Sequence, residues 1–404
     1  MKGKTVVIVG AGTGGIVLAN ALRGQIGGAH RIIVVERSET HAFAPSFLWL
    51  MVGQRQRHEI TRPVRKLLAH GIDVVIGEAG EIDAVRRLLR VGSETIAYDY
   101  LVLASGAEMR SDFASTETFF TLDGAERLYG VLREFRGGNV AVAVTSTPYK
   151  CPGAPAEGAM LIADFLRSKG VSARVDLYTP ELRPMAVAGP QLGEAVKSML
   201  AERGVGYRPQ HTLRGVTEGS LQFEGRDPQA ADLVITIPHH LPSPVVQTAG
   251  IANAAGWAVA DPRTLLTKDA AITAIGDCTS MPLPGRWQPD TPLFLPKAGV
   301  FAHAQALAVA DRLAATLNER SDAPVFHGEG FCMLEAGRHQ AGFAYGEFYA
   351  EPSPDVRMRE VGKTWHVSKI LFEKWWLREP GLGKRTLGAA MALGGRLMGI
   401  PASF

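Results

Sequence analysis

Residues 4 to 23 constrain this chain more than any other stretch. Thr5 to Val9 is a short, wholly apolar run rich in β-branched residues, the pattern of a strand buried in a parallel sheet. It runs into Gly10-Ala-Gly12-Thr-Gly-Gly15, and residues 16–23 then read as a helix. Strand, G-x-G-x-x-G and helix together form the dinucleotide-binding turn. Gly10 permits the tight turn, Gly12 lets a pyrophosphate approach the backbone, and Gly15 lets helix and strand pack closely. The helix start then offers free N–H groups and a positive dipole end to the phosphates. A second buried run, residues 31–35, ends in Glu36, about 20 positions beyond the glycines, where an acidic side chain accepts hydrogen bonds from an unphosphorylated ribose. The fingerprint therefore predicts binding of FAD or NAD at this end of the chain.

With 404 residues there is room for two or three domains, and 45 glycines suit a turn-rich α/β enzyme. A net charge of +3 is too small to argue for nucleic acid, and no RNA-binding or zinc-finger motif is present. The three cysteines, at 151, 278 and 332, are too few for a disulfide framework and form no metal-type C-x-x-C pair, so no metal site is expected. The chain enters a core strand almost at once, without a signal-peptide pattern, and a cytoplasmic-side protein is expected. A long uncharged stretch, residues 234–260, is broken by three prolines and two histidines, so it does not read as a membrane span.

After Glu36, residues 41–53 are strongly apolar, as in a segment packed against a flat ring or under a lid; a buried loop and helix without ligand contact fits the pattern equally well. Strand patterns at 72–76, 88–91 and 94–98 predict a small antiparallel insertion. Residues 99–106 form an apolar strand ending in the small residues Ala104, Ser105 and Gly106, which allow another group to come close. The order of fingerprint, acidic strand end and Tyr100-Leu-Val-Leu-Ala-Ser-Gly106 resembles the flavoproteins built from two dinucleotide-binding domains. Far downstream, Ala271-Ile-Thr-Ala-Ile-Gly276-Asp277-Cys-Thr is similar to their second FAD signature. The resemblance implies FAD at the first domain, with Asp277 on its ribityl chain. It implies further cofactor contacts from Arg37, Pro45, Lys297 and Gly299.

Between about 111 and 250 the chain has its own α/β pattern, with strands at 139–144 and 173–178 and helices at 156–168 and 191–203. A nucleotide-using relative should carry a second glycine fingerprint after the first of these strands. Here the position reads Thr145-Ser-Thr-Pro-Tyr-Lys-Cys151-Pro-Gly-Ala-Pro-Ala-Glu157, and proline removes N–H donors that a phosphate would need. This argues that NAD(P)H is not the electron donor. Cys151 occupies the vacated loop at the start of a predicted helix, where a thiol pKa is depressed and the nucleophilic thiolate favoured. The other reading of Cys151 is a buried, inert thiol. Cys332 lies in a predicted strand, residues 328–337, followed by a second at 340–349, and Cys278 in the Gly-Asp-Cys signature, where a structural role is expected.

The positions of Cys151 and Cys332, with Phe294-Leu-Pro-Lys297-Ala-Gly299-Val-Phe-Ala-His303-Ala-Gln305, resemble the sulfide:quinone oxidoreductase and flavocytochrome c sulfide dehydrogenase family. The resemblance covers essentially the whole chain. It implies a redox pair, Cys151 and Cys332, that takes two electrons from sulfide and passes them through FAD to a quinone. Lys297 would stabilise negative charge on the reduced flavin, a solvated surface lysine being the alternative. Many bacterial members carry a third functional cysteine ahead of the second domain, and residues 1–150 contain none. Glu157, or His239 and His240, could move protons, although satisfied structural roles are as consistent with the pattern.

In the tail, Val367, Ile370, Leu371 and Trp375 fall on one helical face, and a second apolar segment spans residues 387–400. From residue 355 onward nine Lys and Arg stand against four Asp and Glu. That pattern suits helices lying in an anionic membrane surface. Docking on the protein body, or on a second subunit of a homo-oligomer, is the alternative. The expected architecture is α/β: an FAD-binding domain from residues 1–110 and 251–318, a second Rossmann-like domain from 111–250 without the glycine loop, and a C-terminal α+β region, 319–404, with amphipathic helices. A type II NADH:quinone oxidoreductase-like enzyme, a flavocytochrome-type dehydrogenase subunit and a non-catalytic redox-sensing flavoprotein are the competing functional readings.

Overall fold

The computed structural model describes residues 3–322 and 324–400. The apolar runs named above become the strands of two parallel sheets. The first has the spatial order Ile272–Ala274, Tyr100–Leu103, Thr5–Val9, Arg31–Glu36, Asp73–Ile76. Val6, Val7 and Ile8 sit at its centre with no exposed surface, which explains a run without polar alternation: both faces are covered. Full burial of each such side chain contributes about 1.5–3 kcal/mol. The helix Thr13–Arg23 starts three residues earlier than its apolar pattern, immediately after Gly12, and packs against the long helix Gly299–Leu317. Gly15 makes the turn possible, because a Cβ there would stand 1.8 Å from the carbonyl oxygen of Gly10.

The second sheet, in the order Val205–Arg208, Ala173–Tyr178, Gly138–Val144, Leu233–Ile237, is also wholly parallel. The chain leaves the first sheet through Ala107–Arg110 and returns through His239–Pro242, and these two segments pair antiparallel. The expected antiparallel insertion is present as Ala79–Asp83, Leu88–Val91 and Glu94–Ala97. The α/β class with Rossmann-like sheets is as the sequence predicts.

The C-terminal region adds an antiparallel sheet, Glu329–Glu335, Ala341–Glu347 and Asp355–Gly362, followed by the helices Lys363–Trp376 and Leu382–Leu397. The third strand was not anticipated. The apolar stripe read on the tail helix divides in the structure: Val367 and Leu371 are 51% and 38% exposed, whereas Trp375 is buried. The face turned to the protein carries His366, Lys369 and Glu373, all buried. Charge is placed inside because each of these groups has a partner there, as described below.

Candidate active site

In a parallel sheet the carboxyl ends of all strands meet at one edge, and ligands bind there. Gly10 (φ +102°) turns the chain at that edge, after Val9 and beside Ala104 and Ser105. Nothing stands within 4 Å of the position a Gly12 side chain would take, so an incoming group can reach the backbone. Gly299 opens the second helix, and a Cβ there would be 3.3 Å from Thr13 Oγ1, so two helix N-termini converge on one spot. Such a pair of starts favours a diphosphate. Glu36 Oε2 accepts the Ala11 N–H at 2.6 Å, which holds its carboxylate beside the turn. Arg37 pairs with Glu108 at 2.8 Å and Gly106 (φ +69°) ends the neighbouring strand segment. His41 donates from Nδ1 to Ala11 O at 3.0 Å while its Nε2 accepts the Trp376 indole N–H at 3.0 Å. Burial lowers the His41 pKa, consistent with a neutral ring in that role.

Gly276, Asp277 and Cys278 form one tight turn. Asp277 Oδ1 is buried and has no hydrogen-bond partner among the described residues. Burial pushes its carboxyl pKa up, against the pull of Lys150 and Lys297. A buried acceptor left unpaired calls for a ligand donor, and a ribityl hydroxyl is one; the cradle fits a flavin dinucleotide. Lys297 is not a solvated surface lysine. Its ammonium donates to the carbonyls of Asp277 and Thr279, both at 2.8 Å, and lies 3.5 Å from the centre of the Trp257 ring. Burial lowers its pKa to about 8. It clamps the turn that presents Asp277.

Beside this cradle lies an apolar cavity of about 480 Å³. Cys151, Cys332, Glu157, Lys369 and His303 line it together with Pro45, and Phe43, Phe372 and Trp376 form an aromatic wall. The two cysteines, 181 residues apart in the chain, thus share one chamber, half-buried and unbridged. Packing helps bring Cys332 to this chamber: a Cβ on Gly330 would stand 2.3 Å from the Phe301 ring, so only glycine brings the Cys332 strand this close to the helix Gly299–Leu317. Cys151 is held by its own N–H, which donates to Lys297 O at 2.6 Å, in a left-handed backbone conformation (φ +55°).

The expectation of a depressed Cys151 pKa is overturned. Helix Ala154–Ser168 begins three residues later, and burial, with Glu157 beside it, pushes the thiol up to about 12, against a smaller opposing pull from Lys369. The Cys332 thiol is also raised well above its ordinary value by burial, Glu157 and Cys151. Cys278 is fully buried, its thiol placed to donate to Leu103 O and Ile275 O, as suits the structural role expected of it.

Glu157 is buried and its Oε1 accepts from Lys369 Nζ at 2.6 Å and from the Glu335 N–H at 2.8 Å. Burial works to lower the Lys369 pKa, but Glu157 and Glu335 outweigh it and the net shift is upward. Glu335 accepts from His366 Nδ1 at 3.0 Å, and Glu373 accepts from Arg55 at 2.9 Å and from Ser46. Sequence reasoning missed Lys369, His366, Glu335 and Glu373. Their signal was present: residues 366, 369 and 373 place a charged or titratable side chain on successive turns of one helical face.

His303 has neither ring nitrogen paired among the described residues. It faces the cavity 6.2 Å from the Trp375 ring, and burial, then Lys384, lowers its pKa to about 4, so the ring is neutral. The other histidine candidates lie elsewhere. His239 pairs with Asp112 at 3.4 Å, and His240 is buried edge-on to Phe120; neither lines the cavity. In the second sheet's vacated loop, Tyr149 donates to Glu181 at 2.6 Å, filling space beside Cys151 with protein.

The profile of the family described as pyridine nucleotide-disulphide oxidoreductase matches residues 4–305. The mitochondrial sulfide:quinone oxidoreductase of Mus musculus is 26% identical over 301 residues, covering 69% of this chain and 66% of that one, just under two thirds of its length. The sulfide-quinone reductase of Aquifex aeolicus is 26% identical over 396 residues, covering 93% and 90%. The crystal structure of the sulfide:quinone oxidoreductase of that bacterium superposes with a TM-score of 0.85 over 99% of this chain and 96% of that chain, at 24% identity. The fold is shared more widely: an NDH2 of Plasmodium falciparum aligns over 99% of both chains with a TM-score of 0.70 at 12% identity.

Proposed function

The chain belongs to the pyridine nucleotide-disulphide oxidoreductase family as an FAD-dependent oxidoreductase, and from that premise we propose that it oxidises sulfide and delivers the electrons to a quinone. The observation that carries the reading is the cavity that Cys151 and Cys332 both line, next to the dinucleotide cradle. When bound, FAD supplies a two-electron acceptor that can be reoxidised by a quinone. The chain's own residues do the rest.

HS⁻ attacks a Cys151–Cys332 disulfide, or its sulfur-bridged form. The S–S bond breaks, a persulfide forms on one cysteine and a thiolate leaves on the other. A sulfur acceptor removes the outer sulfur and leaves two thiols; their electron pair is what bound FAD would accept as the disulfide re-forms and two protons are released. Lys369 opposes the burial that holds both thiols protonated, and Glu157 keeps that ammonium in place. The aromatic wall suits an apolar quinone ring, and the unpaired His303 offers a polar contact for a carbonyl oxygen.

Association with a membrane surface belongs to the same proposal. No helix among the described residues is long and apolar enough to cross a membrane. Val367, Leu382, Leu393 and Leu397 on the two C-terminal helices are 51%, 79%, 59% and 82% exposed, and the tail is basic. Such helices lie in an interface, which supports peripheral attachment on the cytoplasmic side. The test is turnover of the holoenzyme with a soluble quinone. Sulfide-dependent quinone reduction supports the proposal, whereas quinone reduction driven by NADH and not by sulfide overturns it.

A further inference from the structure

One cation in the redox loop has no role in the site as described so far. Lys150 precedes Cys151 in the loop that took the place of the second glycine fingerprint, and its backbone pairs with Lys297 in an isolated parallel bridge. Lys297 in turn clamps the turn of Asp277. Lys150 therefore arrives from the second sheet at the place where the first domain presents its unpaired carboxylate oxygen. The Lys150 ammonium has no hydrogen bond or ion pair with any described residue, although Asp277, Cys151 and Glu108 all act on it electrostatically. His240, on the segment linking the sheets, presents a buried Nε2 that is also unpaired and feels the Lys150 charge. Three polar groups from three segments, Lys150, Asp277 and His240, are thus without hydrogen-bond partners among the described residues, and Lys150 acts electrostatically on both of the others. The half-buried ammonium of Lys150 stands in the field of the Asp277 carboxylate with no hydrogen-bond acceptor of its own, and a ligand that reaches Asp277 can supply one.

We propose that Lys150 binds the ribityl-pyrophosphate portion of FAD across the boundary between the two sheets, so that the cofactor itself fastens the Cys151 loop. The inference rests on flavin binding alone and not on the identity of the electron donor or acceptor. Its physical content is linkage: whatever binds the ordered loop also stabilises it. Cofactor occupancy and the position of Cys151 are then coupled through one residue.

The test uses the holoenzyme, with Lys150→Met to remove the charge but keep the stem, and Lys150→Arg to restore it. Release of FAD on dilution is followed by free-flavin fluorescence. After mild reduction, alkylation of each cysteine by iodoacetamide is followed by mass spectrometry, with buried Cys278 as the control for intact folding. Loss of a charge-assisted hydrogen bond should speed FAD release about tenfold or more in K150M, with K150R within about threefold of the parent chain. Cys151 should alkylate faster in K150M while Cys278 stays protected. FAD release and Cys151 alkylation both unchanged in K150M would overturn the proposal. So would a shifted flavin midpoint potential with unchanged release, because that places the ammonium against the flavin ring. Because neither readout uses sulfide or quinone, failure of the sulfide reading leaves this test intact, and the reverse.

Discussion

Lys369→Met removes the ammonium from the most enclosed ion pair at the cavity. The Lys369 and Glu157 side chains are 8% and 2% exposed, and Glu157 Oε1 would be left with one donor, the Glu335 N–H. Breaking a buried pair from one side leaves an uncompensated charge and costs about 3–5 kcal/mol, which for a chain of this size lowers the apparent Tm by about 5 °C. Adding Glu157→Gln removes that stranded charge and should regain about 2 kcal/mol, a non-additivity of the kind neighbours in one network show. The loss should not change with pH. Because the folded Lys369 pKa is raised, its contribution is complete below the ordinary value of 10.5 and falls only as pH rises through the folded value, so the range from about pH 6 to 9 is flat. Thermal unfolding of holoenzyme, followed by circular dichroism for both single variants and the double, measures this cycle. A cost for K369M within the range of a surface pair, about 1 kcal/mol or less, or strict additivity in the double variant, would refute the reasoning.

Other outcomes follow from the same geometry. In the reduced protein, burial and Glu157 hold the Cys151 thiol near 12. Its alkylation rate should therefore climb about tenfold per pH unit from pH 7 to 10, tracking the thiolate fraction; a plateau below pH 8 would contradict it. His303→Leu should raise the quinone KM about tenfold while leaving sulfide-driven flavin reduction within about twofold, since its unpaired ring faces the cavity and an unmade polar contact costs about 1–3 kcal/mol. Equal losses in both half-reactions would count against it. Leu393→Ser with Leu397→Ser should weaken binding to anionic vesicles in a flotation assay at least about tenfold, because each exposed leucine contributes about 1.5–3 kcal/mol when buried in lipid. Unchanged flotation would count against the membrane face.

Much of this fold was legible because its signals are local. Thr5–Val9, Leu88–Val91 and Ala173–Tyr178 are strands within the runs read from apolar patterning. The glycines and Glu36 sit as their spacing requires, since a tight turn and a close approach are set by a few consecutive residues. Cys151 and Cys332 were identified by position and do line one chamber, but their pKa shifts were misjudged for Cys151. A helix start is a sequence feature, whereas desolvation and the charge of Glu157 depend on what folds around the thiol. The same reason hid the inner face of Lys363–Trp376. Periodicity marks an apolar stripe but says nothing of the partners that wait for the other face, and here Glu157, Glu335 and Arg55, brought from far along the chain, let charge go inside. The strand Asp355–Gly362 escaped because its charged, alternating residues pair at the edge of a sheet formed by distant neighbours.

The most direct test of the central claim is anaerobic mixing of the yellow holoenzyme with sulfide, watching flavin absorbance, in the parent chain and in Cys151→Ser and Cys332→Ser. The shared cavity predicts rapid bleaching by sulfide in the parent and its loss in each serine variant, with FAD still bound. Bleaching by sulfide that survives both substitutions, or bleaching by NADH and not by sulfide, would contradict it.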